Sequence, residues 1–228
     1  MITKPLTTIA ILTLGMSALA ASAAVIFDDN FTGNAGSLLN SSYWVANASN
    51  TLNGDGTATI GAPGTLTGSV SVAPTVSDFV RSTVYISEAN WNNGGMGFSN
   101  ETDSIVIRDD TGSNTWWVCV NGQDGPFGFN TGADRQWNWS GPTASTIQVD
   151  WYTNKVLVAF NGSPIFDSSV SKPSWTIPIA AQHMDVTSGY GVFKIDRATL
   201  ETLTVPEPAT LALLGLGGLA VVLRRKRA

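Results

Sequence analysis

Thr146-Ile147-Gln148-Val149-Asp150-Trp151, followed after three residues by Lys155-Val156-Leu157-Val158-Ala159-Phe160 and the dipeptide Asn161-Gly162, is the stretch that decides the fold. Ile147, Val149 and Trp151 alternate with Thr146, Gln148 and Asp150, and Val156, Val158 and Phe160 repeat the pattern. The period is two, the period of an extended chain with one dry and one wet face. Asn-Gly before Pro164-Ile165-Phe166 is the strongest short hairpin cue, because both residues tolerate positive φ. Strands with one wet face pair antiparallel, and two such sheets must close on each other to bury the dry faces.

Working outward, the same period runs through Asp78–Ile86, Ser104–Arg108, Trp116–Asn121 and Gly191–Ile195. Asp110-Thr111-Gly112-Ser113-Asn114 lies between two of these runs and predicts a hairpin, and Gly54-Asp55-Gly56 and Asn92-Asn93-Gly94-Gly95 predict further turns. Nothing between Ala24 and Val205 sustains apolar residues at helical spacing. No fixed repeat is visible, which disfavours a propeller or solenoid. The fold predicted is an all-β, antiparallel two-sheet sandwich over residues 25–204.

Composition agrees. A chain of 228 residues with 43% hydrophobic and 13% charged residues has enough material for one packed domain and too few charges for a disordered polyampholyte. Net charge is −5, and because Lys4, Arg224, Arg225, Lys226 and Arg227 lie at the ends, the body is more acidic still. Without a basic patch, nucleic acid is not an expected partner. One Cys and one His exclude an internal disulfide and any cage rich in His or Cys.

The two ends read as addresses. Residues 1–24 carry Lys4, an apolar run from Ile9 to Ala21 and small residues up to Ala24, the order of a secretory signal peptide cut by signal peptidase near Ala23 or Ala24. Residues 205–228 begin Val205-Pro206-Glu207-Pro208, continue through an apolar stretch to Leu223 and end Arg224-Arg225-Lys226-Arg227-Ala228. As a short transmembrane helix, Ala209–Leu223 would span roughly 22 Å of a core about 30 Å thick, with the basic cluster on the cytoplasmic side and the body outside. This tripartite end resembles the PEP-CTERM sorting signal of exported Gram-negative proteins. The resemblance rests on Pro206, Glu207 and Pro208, the Ala-Thr-Leu after them, Leu213–Gly217 and the terminal basic run. It implies transient residence in the inner membrane, processing by exosortase near Pro-Glu-Pro, then surface display or release among exopolysaccharide-producing cells. The paired prolines keep the approach to the membrane extended, where an enzyme can grip it.

The body resembles the concanavalin A-like jelly rolls, including laminin G-like modules and laminarinase-like glycosidases. Phe27-Asp28-Asp29-Asn30-Phe31, Tyr43-Trp44, the hairpin quoted above and a closing strand from Gly191 to Val205 carry the likeness. Those enzymes use Glu-x-Asp-x-Glu to place two carboxylates across the bond. This chain has no such run: Glu88, Glu101 and Glu201 are never spaced that way, and Asp109-Asp110 lies at a predicted turn. His183 has no partner nearby in sequence, and Cys119, between Val118 and Val120, reads as a buried thiol. No catalytic residue is assigned.

Aromatic residues are the more suggestive group. Trp137 and Trp139 alternate in Asp134-Arg135-Gln136-Trp137-Asn138-Trp139, and Trp91-Asn92 sits at a turn. Rings beside amide, carboxylate and guanidinium groups suit a saccharide, so Trp91, Asn92, Asp134, Arg135, Trp137 and Trp139 are the candidate carbohydrate contacts. Trp116, Trp117 and Trp151 are expected in the core. Asp28, Asp29 and Asp196 are hard-oxygen groups that the jelly-roll resemblance brings together as a candidate calcium site, with no other cofactor expected. The reading is an exported surface or matrix protein that binds extracellular polysaccharide. The alternatives are a glycan-active hydrolase or lyase on the same fold, or a purely structural coat protein.

Overall fold

In a computed structural model, residues 23–45, 47–61, 64–89, 95–110, 115–121, 123–127, 145–188 and 193–205 are described. They form an all-β antiparallel sandwich of two sheets. The larger sheet has the order β12 (Ser163–Asp167), β11 (Val156–Phe160), β10 (Ser145–Trp151), β5 (Asp78–Ala89), β14 (Phe193–Thr204), β3 (Ala58–Ile60) and β2 (Thr51–Leu52). An eighth strand, β1 (Ala23–Asp29), pairs with the second half of β14. The smaller sheet runs β4 (Gly64–Val72), β13 (Gln182–Ser188), β6 (Gly95–Ser99), β7 (Ser104–Asp110), β8 (Thr115–Val120) and β9 (Gln123–Phe127). One four-residue helix, α1 (Ser168–Ser171), follows β12, with Asp167 capping it.

The stretch that opened the sequence reading is the β10–β11 hairpin, with Ile147 opposite Phe160 and Trp151 opposite Val156. Val149, Trp151, Val156 and Val158 are buried, as the alternation requires. Asn161 and Gly162 take positive φ, 48° and 76°, and return the chain into β12. The sheets interlock through Phe98 of β6 against Trp151 of β10, with ring centroids 5.1 Å apart. Trp151 donates its indole N–H to the Pro178 carbonyl at 2.8 Å, so its one polar atom is satisfied inside the core.

The opening motif forms a second lock. Asp29 is buried and accepts from Trp44 Nε1 at 2.8 Å through one oxygen and from the Phe31 amide at 2.9 Å through the other. Phe27 meets Trp44 edge-on and Phe31 stacks on it. Phe31 itself sits at φ 53°, a left-handed conformation that the Asp29 bond and the Trp44 stack hold in place. Among the described residues no helix is long and apolar enough to cross a membrane, and residues 1–22 and 206–228 lie outside them.

Candidate functional site

The outer faces of the two sheets are built differently. On the larger sheet, charges close on each other. Arg81 of β5 grips Asp150 of β10 with two bonds of 2.7 Å, and Gln148 adds a third at 3.1 Å. The same guanidinium lies over Phe79, which stacks on Tyr152, and Lys155 covers that tyrosine while pairing with Asp167 at 3.8 Å. Farther along, Arg197 holds Asp28 through two bonds of 2.8 and 2.7 Å and lies over Tyr85. The Arg197 bond keeps the Asp28 carboxyl below the ordinary carboxylate range.

On the smaller sheet the centre is built around a buried carboxyl instead. Gln182, Met184, Val186 and Ser188 of β13 face the core, so His183, Asp185 and Thr187 point the other way. Asp185 pairs with Thr67 of β4 on one side and with Gly97 of β6 on the other, and His183 pairs with Ser99. The Ser99 hydroxyl donates to Asp185 Oδ2, while Asp185 Oδ1 is buried with no hydrogen-bond partner. Burial pushes this carboxyl up, against the opposing influence of Ser99, Thr67 and His183. His183 donates from Nδ1 to the Gly68 carbonyl at 2.8 Å, which leaves Nε2 as the acceptor nitrogen of its neutral form. Thr67, Ser99, His183 and Thr187 are half-buried around the deeper Asp185.

Two features hollow the face out. Gly97 puts no side chain opposite Asp185 and Gly95 none opposite Thr187, and a Cβ at Gly97 would collide with the Ile105 carbonyl of β7, so that position admits only glycine. The β4–β13 pairing also slips between His183 and Asp185, where β4 has the extra residues around Gly68. The result is a polar notch in which the hydroxyls of Thr67, Ser99 and Thr187 surround a buried carboxyl, with glycine beside it.

The sequence-predicted residues fall out as follows. Asp28 and Asp29 are successive in β1 and point to opposite faces, one to Arg197 and the other to Trp44. Asp196 is the bulged residue of β14, with one oxygen buried and unpartnered. β14 does lie beside β1, but the three carboxylates do not converge: no group of three or more possible metal ligands occurs among the described residues. Strand alternation sends Asp28 and Asp29 to opposite faces of the sheet. Trp91, Asn92, Asp134, Arg135, Trp137 and Trp139 lie outside the described residues, as do Pro206, Glu207 and Pro208. Trp151 is in the core as expected, and Cys119 is buried. His183 does have partners, which β4 and β6 bring to it from far along the chain. Asp185, Ser99 and Thr67 were missed. The signal available was Gly95-Met96-Gly97, two glycines at strand spacing on one face.

A model of the PEP-CTERM protein-sorting motif matches residues 204–227. The chain carries a PEP-CTERM sorting motif. The motif implies an exported protein that is anchored transiently in the membrane, processed by exosortase and passed to the cell surface. No curated protein matches the chain. Among solved structures, the sandwich is similar to a β-1,3-glucanase from Mycobacterium marinum, with TM-score 0.54 and 12% identity over 78% of this chain and 98% of that one. A glycosyl hydrolase family protein from Mycobacterium fortuitum gives TM-score 0.55 and 13% identity, covering 78% and 99%. A pseudo β-1,3-glucanase and immunostimulatory antigen of Mycobacterium tuberculosis gives 0.50 and 11%, covering 77% and 98%. At these identities the likeness is one of fold alone, a two-sheet β-sandwich of jelly-roll type.

Proposed function

We propose that this PEP-CTERM protein is a cell-surface or matrix component whose sandwich binds extracellular polysaccharide at the Asp185 notch without cleaving it. The observation that carries the reading is the sorting motif, which follows the sandwich directly and delivers it to the exterior. Support for a saccharide comes from the chemistry of the notch. Hydroxyls of Thr67, Ser99 and Thr187 and the second imidazole nitrogen of His183, ranged around the buried Asp185 carboxyl, are groups that exchange hydrogen bonds with sugar hydroxyls. Glycan-active neighbours on the same fold supply a precedent for the scaffold only. Trp91, Asn92, Asp134, Arg135, Trp137 and Trp139 remain proposed contacts, and signal peptidase acting near Ala23 the proposed means of entry to export.

A second reading is favoured by one observation. A carboxyl raised by burial next to a histidine is also what a general acid requires, so a hydrolase is the alternative. Calcium has no part in the proposal, since Asp28 and Asp29 already have protein partners. The test is retention of the exported protein on immobilised β-glucan, galactan or the producing cell's own polymer. Asp185→Ala and Ser99→Ala are expected to weaken retention at least tenfold with no reducing sugar released by the parent chain. Retention unchanged in both variants contradicts the notch, and sugar release abolished by Asp185→Asn selects the hydrolase.

A further inference from the structure

The two strands that lead to the chain's ends are zipped together. β14 is held by β5 on one side, up to Thr204 opposite Asp78, and by β1 on the other, where Ala23 faces Leu203, Ala24 faces Thr202 and Val25 faces Glu201. One more bond follows, from the Val205 amide to the Ser77 carbonyl at 2.6 Å. Ser77 is presented by a braced turn, in which Thr75 and Ser77 donate to Asp78 Oδ2 and the Asp78 amide donates to Thr75 Oγ1. Pro206 is the next residue. The sheet therefore runs into the sorting motif with no spacer.

A processing enzyme holds its substrate as an extended strand, using the backbone N–H and C=O groups on both sides of the scissile bond. Leu203, Thr204 and Val205 lie within the hydrogen-bonded edge of β14, so the groups such an enzyme needs are engaged by β5, β1 and the Ser77 turn. This grip is paired but weakly packed. Ala198, Thr199 and Leu200 are buried, whereas Glu201–Val205 and Ala23–Val25 are half-buried or exposed. An end with backbone bonds and little buried apolar surface opens locally without unfolding the core.

We propose that fraying of the end of this zipper, residues 201–205 leaving β5 and β1, gates removal of the tail, so that exosortase acts only once the end of β14 is unpaired. The inference rests on the sorting reading above. A signal-peptide cut near Ala24 takes Ala23 and Ala24 away from Leu203 and Thr202, so in the exported chain the end of β14 is held by β5, by the Ser77 carbonyl and, at Glu201, by Val25.

The test follows tail removal by pulse-chase and intact mass in exosortase-positive cells. Inserting eight Gly/Ser residues between Val205 and Pro206 is expected to speed removal at least threefold. In a Cys119→Ser background, Phe79→Cys with Leu203→Cys staples a register pair across β5 and β14, and is expected to slow removal at least tenfold when oxidised. The same staple with the eight-residue insert is expected to be processed as fast as the unstapled insert, which shows that the stapled sandwich folds. Equal rates for the parent chain and the insert overturn the gate while leaving the sorting reading intact. A tail retained by both parent and insert overturns the sorting reading, and the gate with it.

Discussion

The outer faces of the two sheets make the instructive comparison. On the larger sheet Arg81 meets Asp150, Arg197 meets Asp28 and Lys155 meets Asp167, with aromatic rings packed under the cations. On the smaller sheet Asp185, opposite Gly97, keeps an unpartnered oxygen. Apart from the bulged Asp196, the charges of the larger sheet are satisfied by its own strands, which leaves that face little to offer a ligand, and its pairs serve register and stability. A face that leaves a buried carboxyl incomplete carries a desolvation cost that stability alone does not explain. On the proposed reading, the difference separates a structural face from a binding face.

The largest expected effect breaks the structural side. Arg81→Ala strands Asp150, which is 5% exposed, and is expected to cost about 2–3 kcal/mol in urea unfolding while leaving polysaccharide retention unchanged. Next, Asp185→Asn keeps the shape of the notch and is expected to lower retention about tenfold, equivalent to ~1.4 kcal/mol, with little loss of stability at neutral pH. If Arg81→Ala abolished retention and Asp185→Asn did not, the assignment of faces would be reversed.

The pH dependence sharpens the contrast between Asp185 and Asp28, whose carboxyls are shifted in opposite directions. Asp185, raised by burial, keeps its proton longer folded than unfolded. Its stabilising contribution is complete below the ordinary carboxylate value of about 4 and disappears as pH rises through the raised value. Asp28, lowered chiefly by the Arg197 bond, contributes above the ordinary value and loses that contribution as pH falls through the lowered one. Thermal melts across pH 2–8, a range set about the carboxylate value of ~4, are expected to show Asp185→Asn gaining on the parent as pH rises. A gain independent of pH contradicts the burial argument. The smallest effect belongs to Asp28→Asn, whose pair with Arg197 is 43% and 45% exposed, and about 0.5 kcal/mol is expected.

Much of the sandwich was legible because strand alternation and turn chemistry are local. Val149, Trp151, Val156 and Val158 declared their inward face, and Asn161-Gly162 declared the reversal after them. The notch was not legible. Ser99 and Asp185 are 86 residues apart and meet only through the β6–β13 register, which a single sequence does not specify. β13 was further obscured because Gln182 and Ser188 put polar residues on its inward face as well, so that Gln182-His183-Met184-Asp185 shows no clean alternation. The spatial relation of the N-terminal carboxylates was hidden for a related reason. Adjacent Asp28 and Asp29 look like a cluster in sequence, but a strand sends them to opposite faces.

The claim beneath all of this is that the last residues are an address, removed once the sandwich is outside. Intact-mass measurement of the protein recovered from the surface of exosortase-positive cells tests it most directly. The account predicts a chain with a new C-terminus near Pro206–Pro208, and retention of the tail when the exosortase is deleted or Glu207 is replaced. Surface protein that still ends at Ala228 in exosortase-positive cells contradicts it.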